Sequence, residues 1–168
     1  MMNKPVSQKI ALCSVMVALS LVLSFFENLL LPALPIPGIK LGLANIVTLF
    51  LLYSLSPSYA ATVLLARCAL SALFGGGVTA FIFSITGGFL ALFLMLLAIK
   101  SDRFSILGVS IVGASAHSIG QIFAASLLFL STAVFMYLPV MLFVSLLTGA
   151  LVAFVTNILL KRFKMFKK

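Results

Sequence analysis

Acidic residues are almost missing from this chain of 168 residues, which has two of them against eleven lysines and arginines. Tryptophan is absent, and only 8% of the residues are charged, whereas 64% are hydrophobic. A soluble domain of this size cannot bury so much apolar surface, so the composition excludes that class and indicates an integral membrane protein. The net charge of +9 would suggest nucleic acid binding in a soluble protein. Here we attribute it mainly to membrane orientation and expect no nucleic acid partner.

Metal-ligating residue types are also scarce, with two cysteines and one histidine in the whole chain. Cys13 and Cys68 both lie within apolar runs and lack the spacing of metal ligands, so we interpret them as packing residues. The triple glycine at 75–77 is not followed by Gly-Lys-Ser/Thr, which excludes a phosphate-binding loop of that type. We therefore expect no metal and no cofactor.

What the chain has in abundance is long apolar runs. They predict six transmembrane helices in a single all-α domain over residues 1–168. The predicted helices cover residues 7–26, 41–55, 58–74, 78–99, 105–130 and 139–160. The second is short for a hydrocarbon core of about 30 Å, because a helix rises about 1.5 Å per residue.

The basic residues predict the orientation of these helices. Nine of them fall on one face of the predicted bundle, namely Lys4, Lys9, Lys100, Arg103 and five in the tail 161–168. The opposite loops contain Lys40 alone, and Arg67 is intramembrane. The positive-inside rule then places both termini in the cytoplasm. We interpret the basic tail as a topology signal, with binding to anionic lipid as the alternative.

The segment 35–45 interrupts the apolar pattern. Pro35 and Pro37 exclude a helix there, and Gly38 frees the following turn. Lys40 then opens an apolar run that contains Asn45. We interpret this segment as the outer loop that shapes a binding site, and the alternative is that it only caps the second helix.

Four polar groups on three predicted helices fall in the outer half of the membrane: Asn45, Arg67, His117 and Gln121. An arginine at this depth costs about 2.5–3.5 kcal/mol, so it should face protein or a wet cavity. We predict that the four line an outward-facing ligand pocket with Lys40 at its mouth. The alternative is structural: Arg67 pairs with Glu27 or with helix-end carbonyls, and the other groups bridge helices.

One face of the first helix carries small residues at helical spacing, namely Ala11, Ser14 and Ala18. Small side chains let another membrane helix approach closely. We predict that this face docks a partner protein.

Three motifs carry a resemblance to a known family: PGIKLGLAN at 37–45, LFGG at 73–76 and AHSIGQ at 116–121. The chain resembles the bacterial Gx transporters, also labelled heptaprenyl diphosphate synthase component I, over nearly its whole length. The third motif commonly has Asn where this chain has Ser118, so no role is transferred to that position. The family in turn resembles the substrate-specific S-components of energy-coupling factor transporters.

That resemblance implies a six-helix bundle in the bacterial cytoplasmic membrane, with an outward pocket and a coupling subunit docked on helix one. S-components often dock through an Ala-xxx-Ala face, for which Ser14-xxx-Ala18 is the nearest equivalent here. Related genes often accompany flavin-transfer and prenyl-synthase genes, in bacteria that export electrons. The resemblance thus implies a link to flavin, quinone or prenyl metabolism, while Lys40, Arg67 and His117 suggest an anionic ligand and the many phenylalanines suggest a ring-containing one.

The enzyme label of the family can be tested against the chemistry. Prenyl transfer needs magnesium held by clustered carboxylates. The predicted topology puts Glu27 outside and Asp102 inside, so they cannot share a metal. We therefore expect no catalytic residue. The alternative function is a non-catalytic membrane subunit or scaffold, serving heptaprenyl diphosphate synthase or extracellular electron-transfer enzymes.

Overall fold

The fold is known from a computed structural model that describes residues 6–30, 40 and 42–165. The described residues form helices and contain no strand, which confirms the all-α prediction. Six α-helices follow one another: α1 (Val6–Leu30), α2 (Asn45–Ser54), α3 (Pro57–Ser71), α4 (Gly77–Lys100), α5 (Ile106–Phe129) and α6 (Leu138–Met165). Pro35, Pro37 and Gly38 lie outside the described residues, as do Lys4 and the last three residues of the tail.

Five helical segments of the described chain are long and apolar enough to cross a membrane, and only α2 is shorter than a span. With 10 residues, α2 covers about 15 Å, half of a hydrocarbon core of about 30 Å. The prediction of six helices is thus confirmed as six helices with five full-length spans.

The second helix begins later than expected, at Asn45 instead of residue 41. The difference arises at Gly42, whose φ of +86° lies in the left-handed region and cannot belong to a right-handed helix. A tight turn follows, in which the N–H of Asn45 donates to the carbonyl of Gly42 at 2.9 Å. Residues 40 and 42–44 therefore enter the bundle as non-helical chain.

The first helix extends beyond its predicted end at residue 26 and includes Glu27, which we had placed in the outer loop. Glu27 is 2% exposed, so its carboxylate faces the bundle instead of the loop. The predicted helix ended at residue 26 because Glu27 is the first charged residue after the apolar run. In the structure the helix continues, and the buried carboxylate of Glu27 accepts a hydrogen bond inside the protein.

Two further segments extend the helical structure beyond the predicted bounds of 58–74 and 139–160. The third helix continues as a π-helical turn, Ala72–Gly76, which ends at Gly77 with a φ of +67°. A 3-10 helix, Thr132–Tyr137, precedes α6. Pro57 in the first turn of α3 and Ser105, whose side chain accepts from the N–H of Gly108, behave as ordinary helix starts.

The bundle is organised around α5, of whose span 56% is buried, whereas the figure for α1 is 17%. α5 packs between α4 and α6, and α1 packs mainly on α3. The crossing of α4 and α5 depends on two glycines, because a Cβ on Gly120 would come within 2.8 Å of Gly87 Cα. This close approach brings the polar side chains of α5 next to those that enter from α2 and α3.

Candidate functional site

The five residues predicted to bind a ligand meet at one place in the bundle, at the N-terminal end of α2. Each is at most 5% exposed, and together with Glu27 they form what we call the polar cluster: Glu27, Lys40, Asn45, Arg67, His117 and Gln121. Gly42 lies at its centre, because a Cβ there would be 2.9 Å from Asn45 Nδ2 and 3.2 Å from His117 Cδ2. The structure thus brings the predicted residues together, and their role as ligands stays a prediction.

One contact ties α5 to the chain that enters α2, and a second joins two side chains of α5. The backbone N–H of Lys40 donates to Gln121 Oε1 at 3.3 Å. On the other side of the same amide, Gln121 Nε2 lies 3.1 Å from His117 Nε2. Since Oε1 accepts from Lys40, Nε2 is the donor toward the imidazole, and His117 Nε2 must accept. This pattern assigns a neutral imidazole with its proton on Nδ1.

A second pair of contacts positions the cationic side chains. Arg67 Nη2 donates to Asn45 Oδ1 at 3.5 Å, and Lys40 Nζ donates to Ser71 Oγ at 3.3 Å. Lys40 is 5% exposed, so it lies inside the cluster and not at an exposed mouth. Both contacts are long for charge-assisted hydrogen bonds, which are typically about 2.7–2.9 Å.

The carboxylate of Glu27 is held by the backbone. The N–H of Gly42 donates to Glu27 Oε1 at 2.6 Å, a short charge-assisted bond. The positive φ of Gly42 points this N–H away from the helical path, and the absence of a Cβ leaves room for Asn45. One glycine therefore serves two members of the cluster.

Electrostatics distinguish Lys40 from an ordinary surface lysine. Burial lowers the pKa of its ammonium, the nearby Glu27 carboxylate opposes this, and Arg67 lowers the pKa further. Burial therefore destabilises the charged form of Lys40, and the Glu27 carboxylate offsets part of this cost.

Two nitrogen atoms of the cluster are left over. Within the described part of the chain, Asn45 Nδ2 and Arg67 Nε are buried and have no hydrogen-bond partner. Both belong to side chains that can donate, and a buried donor without an acceptor costs about 1–3 kcal/mol. Their shared need is for acceptor atoms.

Glycines of α4 make the space that the cluster occupies. A Cβ on Gly87 would lie 3.0 Å from His117 Nδ1 and 2.8 Å from the His117 carbonyl oxygen. A Cβ on Gly88 would lie 2.6 Å from Leu64 Cδ1 and 3.5 Å from Arg67 Nη2. The pair Gly87-Gly88 therefore lets α5 and the arginine approach α4.

Sequence reasoning missed the contributions of Gly42, Ser71 and the glycine pair, and it assigned Glu27 to a loop. Glu27 had a usable signal, because one of two acidic residues in the chain stands at the end of an apolar run. For the glycines the signal was weaker, since glycine is frequent in membrane helices. The contact to Ser71 depends on tertiary placement and had no sequence signal.

Two other features lie away from the polar cluster. The predicted docking residues Ala11, Ser14 and Ala18 are all exposed, so this face of α1 is free in the single chain. An apolar cavity of about 470 Å³ opens on the outside of α4 and α5, and it is lined by Thr86, Leu90, Ile119, Gly120, Phe123 and Phe135. It contains no member of the cluster.

Clustered carboxylates are not found at the site. Within the described residues, no three His, Cys, Asp or Glu side chains are grouped so that they could hold a metal ion. Asp102 is exposed in the turn after α4, whereas the cluster contacts Gly87 and Gly88 near the middle of that helix.

These features define an all-α membrane bundle with a buried, charged polar cluster. The family model named Heptaprenyl diphosphate synthase component I matches residues 16–159, so the chain belongs to that family. This confirms the family that the three sequence motifs indicated. Comparisons with curated proteins and with solved structures gave no match.

Proposed function

We propose that this chain is a membrane-embedded binding protein for a small molecule, acting as a substrate-specific S-component of a transporter. The observation that carries the proposal is the polar cluster with its unused donors. A cluster that served only to join helices would be expected to satisfy its own hydrogen bonds, as buried polar groups generally do. Among the described residues, however, Arg67 Nε and Asn45 Nδ2 have no partner.

The proposed site faces the outside of the cytoplasmic membrane. Lys100, Arg103 and Lys161 lie at the helix ends away from the cluster, and the positive-inside rule assigns such ends to the cytoplasm. The cluster then lies in the outer half of the bundle. The ligand would enter from outside, and the resemblance to Gx transporters favours one related to flavin, quinone or prenyl metabolism.

The first helix supplies the proposed docking face for a membrane coupling subunit. Ala11, Ser14 and Ala18 are exposed, and the small side chains would allow a helix to pack closely. Ala18→Leu should weaken recovery of the partner in a pull-down from bacterial membranes. Val22→Leu, at an exposed position one turn further, is the matched control. Unchanged recovery with both Ala18→Leu and Ser14→Leu would exclude this face.

The binding function can be tested with the purified protein. Native mass spectrometry should find a co-purified small molecule on the wild type and lose it in Arg67→Met, which keeps much of the side-chain length but removes the charge. A folded Arg67→Met variant that retains the same molecule would contradict the proposed site. Lys100→Met removes an exposed cation at the far end and should retain the molecule.

A second function is favoured by the family match itself. The family name describes one component of heptaprenyl diphosphate synthase, and a non-catalytic membrane subunit would need no carboxylate cluster. In that case the chain would recruit a soluble synthase component to the membrane. Recovery of a soluble prenyl synthase with both wild type and Arg67→Met, and no bound small molecule in either, would favour this second function.

A further inference from the structure

The charges of the polar cluster do not balance. Arg67 and Lys40 are each 5% exposed, and Glu27 is 2% exposed. His117 accepts from Gln121 through Nε2 and is therefore neutral. Two cations against one carboxylate leave a surplus of one positive charge inside a membrane bundle.

The chain has no further acidic side chain that could neutralise this surplus. Its two acidic residues are Glu27, already in the cluster, and Asp102. Asp102 is exposed beyond the C-terminal end of α4, at Lys100, whereas the cluster contacts Gly87 and Gly88. Gly88 and the helix end at Lys100 are twelve residues apart, which is about 18 Å at about 1.5 Å per residue.

An unbalanced buried charge is expensive, because it has lost the solvation by water and has no counter-charge in exchange. A bound anion would remove that cost and would also give acceptors to the unused donors. In the described chain those donors include Arg67 Nε and Asn45 Nδ2, on two side chains that contact each other. The surplus positive charge calls for a negative charge, the unused donors call for acceptor atoms, and a bound anion supplies both.

We propose that the polar cluster binds a ligand through a single carboxylate group with one negative charge, held by Arg67 Nε and Asn45 Nδ2. This inference rests on the proposed binding function and names its ligand class. One negative charge balances the cluster, whereas a dianion would reverse its sign. A planar carboxylate also matches the fixed donor geometry of a guanidinium.

Acetate and acetamide are a suitable pair of probes, because they have nearly the same shape and differ in charge. The thermal unfolding of the detergent-solubilised protein is followed at constant ionic strength. With acetate at about five times its dissociation constant, the midpoint should rise by about 2–4 °C, and acetamide should have no effect. Arg67→Met should lose the response to acetate, and Lys100→Met should keep it.

Glu27→Gln sharpens the test, because glutamine still accepts from the Gly42 N–H but raises the surplus to two charges. Sulfate, a dianion, should then stabilise this variant more than acetate does, whereas the wild type should prefer acetate. The double variant Glu27→Gln, Arg67→Met lacks the guanidinium that holds the anion, so it should respond to neither acetate nor sulfate although Lys40 still leaves a surplus of one charge. The preference for acetate should change by about tenfold or more between wild type and Glu27→Gln, the usual scale for a charged hydrogen bond.

The outcomes separate this inference from the proposed function. A co-purified ligand that is neutral or cationic, and is lost in Arg67→Met, would overturn the carboxylate while leaving the binding function intact. Equal stabilisation of wild type and Arg67→Met by acetate would overturn the inference as a general salt effect. If no small molecule co-purifies and acetate has no effect, both proposals fall.

Discussion

The polar cluster and the contact between α5 and α6 show two ways to keep polar groups inside one apolar bundle. Between α5 and α6, Ser118 Oγ and Ser145 Oγ lie 2.7 Å apart, and Ser145 donates to the Met141 carbonyl at 2.7 Å. Further along, Ser110 donates to the Gly149 carbonyl, also at 2.7 Å. We call these contacts the serine seam. The seam is uncharged and its hydroxyls are hydrogen-bonded. The cluster is charged, and among the described residues it contains buried donors without a hydrogen-bond partner.

This difference in charge and hydrogen bonding distinguishes groups that join helices from groups that we propose bind a ligand. The serine seam uses short side chains that reach a backbone carbonyl or another hydroxyl, which joins helices at little desolvation cost. The cluster uses long cationic side chains with contacts of 3.3–3.5 Å, which are poor hydrogen bonds for their charge. Helix association alone would not need the more expensive arrangement, and this difference supports the proposal that the cluster binds a ligand.

We expect the largest effect from a substitution that disturbs the geometry of the cluster and replaces no residue of the seam. Gly120→Leu should lower the stability by about 1–3 kcal/mol or more, because the side chain must displace the Gly87 backbone, with Gly87 Cα only 2.8 Å from a Cβ. Thermal unfolding in detergent measures this. Gly108→Ala meets a Phe104 side-chain atom at 3.0 Å and should be far milder. Equal midpoints for both variants would contradict the tight helix crossing.

Replacing one polar residue in the cluster and one in the seam tests directly whether only the cluster contributes to ligand binding. Gln121→Leu should reduce affinity for the co-purified molecule about fivefold to a hundredfold, since a buried hydrogen-bonding partner contributes about 1–3 kcal/mol. Ser118→Ala, one turn away on the same helix but in the seam, should change stability and leave affinity unchanged. The measurement is ligand-induced stabilisation of the folded variants. If Ser118→Ala loses affinity as strongly as Gln121→Leu, the two regions are not functionally distinct.

The next expected effect concerns the cost of the surplus charge. Lys40→Met should raise the stability of the ligand-free protein by about 0.5–2 kcal/mol while weakening ligand binding, a trade of function for stability. Because burial lowers the pKa of Lys40, the unfolded chain keeps this proton to higher pH than the folded one. Wild-type stability relative to Lys40→Met should therefore increase as the pH rises through the folded pKa toward 10.5, the ordinary value. A difference that is constant or shrinks with pH would contradict the buried cation.

The smallest effect is expected in the seam. Ser110→Ala removes one hydroxyl bond to the Gly149 carbonyl and should cost about 0.6 kcal/mol, an average value for hydrogen bonds between membrane helices. Binding of the co-purified molecule should be unchanged. A stability loss as large as that of Gly120→Leu would show that the seam does more than join two helices.

Composition and apolar patterning were sufficient to predict the all-α membrane fold and the approximate bounds of all six helices. They failed where a backbone conformation decided the outcome. The late start of α2 follows from the positive φ of Gly42, and the sequence around it, Lys40-Leu41-Gly42-Leu43, reads as helical by hydropathy alone. A charge within an apolar run was likewise taken as the end of α1, although Glu27 has a buried partner in the Gly42 N–H.

The candidate site was predictable because polar residues are costly in a membrane and therefore stand out. Depth along the helices predicted that Asn45, Arg67, His117 and Gln121 lie at one level, and in the structure they meet. Depth gives no rotation about a helix axis, however, so pairings such as Lys40 with Ser71 were not accessible. They depend on how the helices turn toward one another.

The short α2 has a consequence for biogenesis. The chain that leads into α2 is not helical at Lys40, and the Lys40 amide therefore depends on Gln121, 81 residues further along, for its hydrogen bond. Ribosomes build the chain from its N-terminus, so the first three helices reach the bilayer while this amide still lacks its acceptor. The half-finished bundle must therefore keep this amide near water at the interface until α5 arrives. The early helix hairpin would settle to its final depth only when the second half of the protein is inserted.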